Sequence, residues 1–177
     1  VDDILVQISV ANRGANAAAI HLLPSLWFRN TWSWETKDPK PMMEQGPSIG
    51  QVQKIKASHP KLGVYWLYSN QPNAVLFTEN ESNKERLFGV PNDSPYVKDA
   101  FHEYLVNDRK ESVNPNHKGT KAAFHHFMEV PGGKTAILKL RLNSHGDMTD
   151  PLGKDFDAVF AERKQEADAF YQKITPF

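Results

Sequence analysis

The stretch ILVQISVA at residues 4–11 decides the fold class, because its apolar side chains recur at every second position. Ile4, Val6, Ile8 and Val10 would therefore share one face of an extended strand. Further runs with the same period follow along the chain, separated by turns rich in Asn, Gly and Pro. The sequence predicts a mainly β protein, an antiparallel β-sandwich built from short strands.

Two later segments predict a β-hairpin. Alternate residues of Thr120–Met128 form one apolar face, and alternate residues of Ala136–Leu142 form another. The segment between them, Pro131–Gly133, has the composition of a turn. We therefore expect these two strands to pair with each other.

The end of the chain predicts an amphipathic helix. Asp155 can cap its N-terminus, and apolar residues follow at helical spacing through Phe156–Ile174. The chain is accordingly divided into a β-sandwich at residues 1–154 and a helix at residues 155–177.

Three other segments have no strand pattern. Residues 36–50 contain several Pro and Gly residues and predict a long surface loop. Residues 79–95 are polar and rich in turn formers, and we expect their Leu87–Phe88 pair to pack beneath the sheet. Pro95–Val106 has the apolar spacing of a short helix.

Composition limits the possible functions. A length of 177 residues fits about one domain, and 21 basic against 21 acidic residues leave no net charge. We therefore expect neither a nucleic-acid partner nor a membrane partner. The chain has no cysteine, which excludes disulfides, thiolate zinc sites and a cysteine nucleophile. No apolar run approaches the roughly 20 residues of a transmembrane helix.

The start of the chain points to a piece of a longer protein. Val1 is not a methionine, and a strand pattern begins by Ile4. No signal peptide is visible, and we expect a cytoplasmic location.

Short motifs for nucleophilic or metal chemistry are incomplete. Residues 46–50 read G-P-S-I-G, but the nucleophile elbow with this pattern needs a strand-to-helix turn, and a Pro-rich loop is the favoured reading. His102 and Glu103 begin an H-E-x-x-H motif whose second histidine is replaced by Val106. His125–His126 point to opposite faces of a strand. We therefore expect no metal and no cofactor.

Two carboxylate pairs could in principle serve acid–base chemistry. Glu79 and Glu81 would share a face of an extended segment, and Asp99 and Glu103 have helical spacing. With 21 acidic residues in the chain, such pairs also arise by chance. We assign no catalytic residue to this chain.

The aromatic run LWFRNTWSW (Leu26–Trp34) is more informative. Aromatic rings stack on the C–H faces of sugars, and basic side chains bind sugar hydroxyls. We therefore take Trp27, Arg29, Trp32 and Trp34 as candidate substrate-binding residues. The alternative is that these aromatic side chains lie in the core or at an interface.

Long segments of the chain resemble bacterial proteins similar to glycoside hydrolase family 63. They are DILVQISVANRG (Asp3–Gly14), HLLPSLWFRNTWSW (His21–Trp34), LFTENESNKERLFGVPNDSPYVKDAFHEYLV (Leu76–Val106), VNPNHKGTKAAFHHF (Val113–Phe127) and FDAVFAERKQEADAFYQKI (Phe156–Ile174). The resemblance covers nearly the whole chain.

That resemblance implies the later part of an N-terminal super-sandwich, followed by a catalytic barrel of helical hairpins. Family members are glucosidase-like enzymes that invert configuration and need no cofactor. Their two catalytic carboxylates lie in the barrel, which this sequence does not contain. The implied partners are that missing barrel and a carbohydrate. The alternative function is a stand-alone carbohydrate-binding or structural β-sandwich module. For a sandwich that lacks strands, we also expect either an exposed sheet edge or a neighbouring chain that covers it.

Overall fold

The computed structural model describes residues 3–34 and 39–175 and confirms the predicted fold class, a mainly β protein with a C-terminal helix. The strands are β1 (Asp3–Ala11), β2 (Ala18–Leu22), β3 (Ser25–Trp27), β4 (Met42–Gln45), β5 (Val52–His59), β6 (Gly63–Asn70), β7 (Ala74–Thr78), β8 (Lys118–Gly119), β9 (Lys121–Val130) and β10 (Thr135–Asn143). The helices are α1 (Lys84–Phe88), α2 (Ala100–Val106) and α3 (Lys154–Ile174), and a 3₁₀ turn spans Lys110–Ser112.

The strands form two antiparallel sheets. The larger sheet has six strands in the order β1-β10-β6-β5-β4-β8. In the smaller sheet, β9 pairs with β2 and then β3 along one edge and with β7 along the other. β1 lies at one end of the larger sheet, and no other described strand pairs with its outer edge.

The core lies between the two sheets. Phe77 and Phe124 of the smaller sheet pack in one cluster with Ile55, Leu67 and Leu140 of the larger one. Burying a side chain of this size stabilises the folded state by about 1.5–3 kcal/mol. The alternating apolar residues of both sheets therefore hold the two layers together.

The predicted hairpin between β9 and β10 is wrong. β9 belongs to the smaller sheet, whereas β10 pairs with β1 and β6 in the larger one. The turn at residues 131–133 therefore carries the chain from one layer to the other. Alternate residues of both strands still face the core between the sheets. β9 is also buried on its other face from Ala122 to His126, where Ala123 packs with Leu76 and Phe101 in a second cluster.

The C-terminal helix begins at Lys154, one residue before the predicted boundary. Gly153 occupies the N-cap position, so Asp155 is not the cap. The Asp155 carboxylate instead accepts a hydrogen bond from the buried Arg141 side chain at 2.9 Å. Phe156 is fully buried, which fixes the first turn of α3 on the outer face of the larger sheet.

Predictions for two loop segments and one helix also need correction. The segment predicted as a loop at residues 36–50 contains β4, while residues 35–38 lie outside the described residues. Residues 79–95 contain the short helix α1, and its Leu87 and Phe88 are exposed rather than packed beneath a sheet. The helix predicted from Pro95 begins only at Ala100.

Candidate functional site

The aromatic run leaves the smaller sheet after β3 and then turns. The Phe28 amide still donates to the Thr120 carbonyl at 3.0 Å. Beyond it, the Trp34 amide donates to the Thr31 carbonyl at 3.2 Å, which closes a tight turn. Because a turn replaces the strand after Trp27, alternate residues of the run no longer share one face.

Trp32 joins a polar cluster with Lys40, Glu79 and Glu81, which we call the Trp32 cluster. The Trp32 indole N–H donates to Glu81 Oε1 at 2.9 Å. Lys40 Nζ lies 2.8 Å from the same Glu81 oxygen and 3.0 Å from Glu79 Oε2. The Lys40 ammonium also lies 5.6 Å from the centre of the Trp32 ring. One lysine therefore connects both carboxylates and the indole.

The charges of the Trp32 cluster stabilise one another. Burial alone would raise the pKa of Glu81, but the hydrogen bonds from Lys40 and Trp32 outweigh burial and lower it. Burial alone would lower the pKa of Lys40, but the hydrogen bonds to Glu81 and Glu79 raise it. Lys40 and Glu81 are therefore both ionised at neutral pH.

Backbone and amide contacts fix the two glutamates. Asn80 lies between them, and its side chain donates to the Phe28 carbonyl at 2.8 Å. The Asn30 side chain donates to the Asn80 carbonyl at 3.2 Å. Thr120 Oγ1 accepts from the Asn80 amide at 2.8 Å and donates to Glu79 Oε2 at 2.7 Å. The carboxylates are therefore held in place by two separate segments of chain.

Gly119 allows this arrangement. A Cβ atom at this position would lie 2.2 Å from the Thr78 carbonyl oxygen, closer than any side chain permits. The neighbouring Thr120 amide donates to the same carbonyl at 3.1 Å. The close approach at Gly119 thus brings the Thr120 hydroxyl beside Glu79.

Arg29 and Trp34 form a second, adjacent feature of the run. The Arg29 guanidinium lies 5.1 Å from the centre of the Trp34 ring, within the range of a cation–π contact. Trp34 is 60% exposed, so a large part of its surface is open to a ligand.

Trp27 lies apart from these groups, in an apolar groove. The groove has a volume of about 330 Å³ and opens between the two sheets. Its lining includes Ile4, Phe28, Tyr65 and Leu142 beside Trp27. The four predicted sugar-binding residues therefore occupy three places: the groove, the Arg29–Trp34 contact and the Trp32 cluster.

The second carboxylate pair serves local structure. Asp99 accepts hydrogen bonds from Asn83 and Arg86, with a contact of 3.2 Å from the arginine. Glu103 accepts from Asn107 at 2.9 Å, beside the C-terminus of α2. Asp99 therefore stabilises a surface loop, and Glu103 stabilises the end of a helix. Neither has a described contact with a residue of the Trp32 cluster.

The G-x-S-x-G match lies in the connection between β4 and β5. Ile49 and Val52 form an isolated antiparallel bridge there, and the chain continues into a strand. Ser48 therefore does not occupy a strand-to-helix elbow, and the loop interpretation is confirmed.

Strand pairing brings two distant histidines together. His21 Nδ1 lies 2.8 Å from His125 Nε2, and their rings stack with centres 5.1 Å apart. His126 points the other way and contacts Ser69 Oγ at 3.0 Å. Within residues 3–34 and 39–175, no three His, Cys, Asp or Glu side chains are grouped to hold a metal ion.

Sequence reasoning did not identify Lys40 as part of the site. Lys40 lies in the segment predicted as a surface loop, 39 positions before Glu79, and no periodic pattern marks it. The sequence did contain one indication of a cation at this site, the two glutamates at positions 79 and 81. Two carboxylates on the same face of an extended segment are stabilised by a nearby cation or by a proton.

The chain is similar to a protein of Saccharomyces cerevisiae described as "Uncharacterized protein YMR196W". The two are 32% identical over 96% of this chain. The chain spans 19%, about a fifth, of the length of that relative. No family model matches the chain, and no solved structure matches it significantly. The relative's description states no activity, so this similarity transfers none.

No helix in residues 3–34 and 39–175 has both the length and the apolar character that crossing a membrane requires.

Proposed function

We propose that this chain is the non-catalytic β-sandwich portion of a glucosidase-like glycoside hydrolase. In this role it supports a catalytic helical barrel elsewhere in a longer polypeptide and forms part of the rim of a sugar-binding site. The observation that carries the proposal is the Trp32 cluster, in which Lys40 connects Glu79 with Glu81 and with the Trp32 indole.

The Trp32 cluster has the chemistry that sugar binding requires. Carboxylate oxygens of Glu79 and Glu81 accept hydrogen bonds from hydroxyl groups, and the Lys40 ammonium donates to them. Trp34 adds an exposed aromatic surface next to Arg29. Because Thr120, Asn80 and Lys40 already hold the carboxylates, binding a sugar here orders few side chains.

The same contacts argue against proton transfer at this site. An inverting glycosidase needs one carboxylic acid with a raised pKa and a separate carboxylate that activates water. The pKa of Glu81 is instead lowered, and Glu79 shares the same lysine. We therefore expect the isolated chain to bind sugars without hydrolysing them.

The test is a titration of the 177-residue chain with α-linked glucose disaccharides, followed by tryptophan fluorescence and by amide chemical shifts. We expect saturable shifts at Trp32, Trp34 and their neighbours. Trp32→Ala and Trp34→Ala should each weaken binding at least tenfold. Tyr171→Ala, which removes an equally exposed aromatic side chain on α3, is the control and should bind normally.

Failure of binding in the folded wild-type chain would contradict the proposed rim. Turnover by this chain that is lost in Glu81→Gln would contradict the non-catalytic assignment. A stand-alone carbohydrate-binding module is the second candidate, and it predicts the same binding without glycosidase activity in the full-length protein. The absence of cysteine suits the cytoplasmic location that we include in the proposal.

A further inference from the structure

A pocket of about 530 Å³ opens where β6 ends. β6 stops at Asn70, whereas the neighbouring β10 begins at Thr135 and pairs with β6 only from Leu140 onward. Residues 137–139 of β10 therefore face a gap, and this gap is the pocket. Its volume lies within the range of about 300–1,000 Å³ that is usual for ligand sites. We call it the His126 pocket, and the residues that line it include Asn70, Gln71, His126, Met128, Leu138 and Leu152.

Four segments of this chain form the walls of the His126 pocket. They are the turn between β6 and β7, the strands β9 and β10, and the segment that precedes α3. Asn73 Oδ1 accepts a hydrogen bond from the Phe127 amide at 2.6 Å, which ties the turn to β9. The Pro151 carbonyl accepts from the Arg141 side chain at 3.2 Å, which holds the segment before α3. The pocket is therefore built by this chain alone, from segments that are already fixed.

His126 brings a free hydrogen-bonding atom to the pocket. Its side chain is only 4% exposed, and its Nε2 contacts Ser69 Oγ at 3.0 Å across the two sheets. Among the residues that the structure describes, every buried side-chain nitrogen and oxygen has a hydrogen-bond partner, whereas Nδ1 of His126 has none. Nδ1 is therefore accessible, and the open space that His126 lines is this pocket. Burial and the charge of His125 lower the pKa of His126, so the ring is neutral at pH 7.

Gln71 has a strained backbone at the rim of the pocket. Its φ is +46°, in the left-handed region that favours glycine. Its amide donates to the Gln51 carbonyl at 2.9 Å, a contact that a glycine would also make. The turn itself therefore does not require the glutamine side chain. Strained residues of this kind are concentrated at ligand sites.

The lining suits a neutral ligand that carries hydroxyl groups. The carboxamides of Asn70 and Gln71 both donate and accept hydrogen bonds, as hydroxyl groups do. Among the described lining residues only Lys139 is charged, and its ammonium already pairs with Asp157. An anionic ligand would therefore find no free cation. A purely apolar ligand would leave the carboxamides and His126 Nδ1 without partners.

We propose that the His126 pocket binds one neutral sugar unit, whose hydroxyl groups bond to His126 Nδ1 and to the carboxamides of Asn70 and Gln71. Met128 and Leu138 then contact the C–H groups of the sugar. This site is separate from the Trp32 cluster. Thr120, which bonds to Glu79 there, precedes His126 by six residues of nearly extended chain, or about 20 Å. The chain therefore holds two sugar sites, one near each end of β9.

Amide chemical shifts of the 177-residue chain, titrated separately with glucose, mannose and galactose, test the proposal. We expect at least one of these sugars to give saturable shifts at Gln71, His126 and Leu138. The ring-nitrogen resonance of His126 Nδ1 should follow the same saturation curve. The corresponding resonance of His59 should not move, because its Nδ1 already accepts from two backbone amides, at 3.1 Å and 3.2 Å.

Two variants test the contacts. Gln71→Gly removes the carboxamide, and glycine adopts the left-handed φ without strain. We expect binding to weaken at least fivefold while the melting temperature hardly changes. Asn70→Ala, at an exposed position, should weaken binding by a similar factor. Asp108→Gly is the matched control, since Asp108 also has a left-handed φ, +52°, but follows α2 outside the pocket, and this variant should bind like the wild type.

The absence of shifts in the pocket with all three sugars, in a chain that circular dichroism shows to be folded, would overturn the proposal. Unchanged affinity in both Gln71→Gly and Asn70→Ala would also overturn it. Shifts confined to the Trp32 cluster would overturn this proposal and support the proposed rim site. Shifts confined to the His126 pocket would support this proposal and contradict the rim site.

Discussion

Lys40 determines the charge state of the two glutamates beside Trp32. It contacts both carboxylates, and its hydrogen bond helps to lower the pKa of Glu81 against the effect of burial. In Lys40→Met, burial and the neighbouring Glu79 remain while the cation is lost, so the pKa of Glu81 should rise above that in the wild type. Carbon-13 NMR titration of the glutamate carboxyl groups measures this change.

Trp32→Phe is the matched control for that prediction. It removes one hydrogen bond to Glu81 but no charge, so it should raise the pKa of Glu81 less than Lys40→Met does. Because the folded-state pKa of Glu81 is lowered, its contribution to stability is present above pH about 4.5 and is lost as the pH falls through the folded-state value. An unchanged pKa in Lys40→Met would contradict this account.

Two adjacent histidines should make the protein sensitive to mild acid. Burial, and then the charges of His21 and Lys110, lower the pKa of His125, and burial with the charge of His125 lowers that of His126. The unfolded chain therefore binds protons at a higher pH than the folded chain does. Stability should be full above pH about 6.5 and should fall as the pH drops toward the folded-state values.

Urea unfolding between pH 7.5 and pH 5 measures this loss. The quantity measured is the slope of the free energy of unfolding against pH. Each histidine contributes at most about 1.4 kcal/mol per pH unit to this slope. His126→Gln should reduce the slope, since glutamine can still bond to Ser69 without titrating. A slope that is unchanged in His126→Gln would exclude this histidine as the cause.

At the scale of elements, the period of two predicted the strands but not their partners. β9 and β10 have the alternation and the Pro-Gly-Gly turn of a hairpin, yet they lie in different sheets. Alternation reports only that one face of each strand is buried, and a turn between sheets satisfies that condition as well as a hairpin does. Whether the turn joins two strands of one sheet or two separate sheets depends on the pairing of β10 with β1 and of β9 with β7. Those partner strands are far away in sequence, so a local pattern does not reveal them.

The docking of α3 depends on one buried cation. Arg141 donates to Asp3 of β1, to Asp155 of α3 and to the Pro151 carbonyl. Its side chain is only 6% exposed, so Arg141→Met would leave two carboxylates without their partner beside the sheet. We expect a loss of about 3 kcal/mol in the free energy of unfolding, measured in urea.

Arg163→Met is the matched control for that loss. Arg163 pairs with Glu162 and Glu166 on the exposed part of α3, where its own side chain is 60% exposed. Exposed pairs of this type are worth about 0–1 kcal/mol, so the free energy of unfolding should hardly change. Equal effects of the two variants would show that α3 is not fixed through Arg141.

At the scale of the whole molecule, the candidate site is assembled from separate parts of the chain. The aromatic run and the Glu79–Glu81 alternation were visible in the sequence. Their connection through Lys40 and Thr120 was not, because it depends on how β3, β7 and the start of β9 are placed side by side. The apolar stripe on α3 was also visible, but only Phe156 is buried within the single chain.

That stripe gives the last prediction, which concerns the outer half of α3. Residues 165–175 are exposed and the core contains none of them. Removing residues 165–177 should therefore leave the melting temperature of the chain almost unchanged, because no buried contact is lost. Calorimetry of the full and shortened chains measures the difference. A fall of several degrees in the shortened chain would mean that the outer half of α3 stabilises the sandwich.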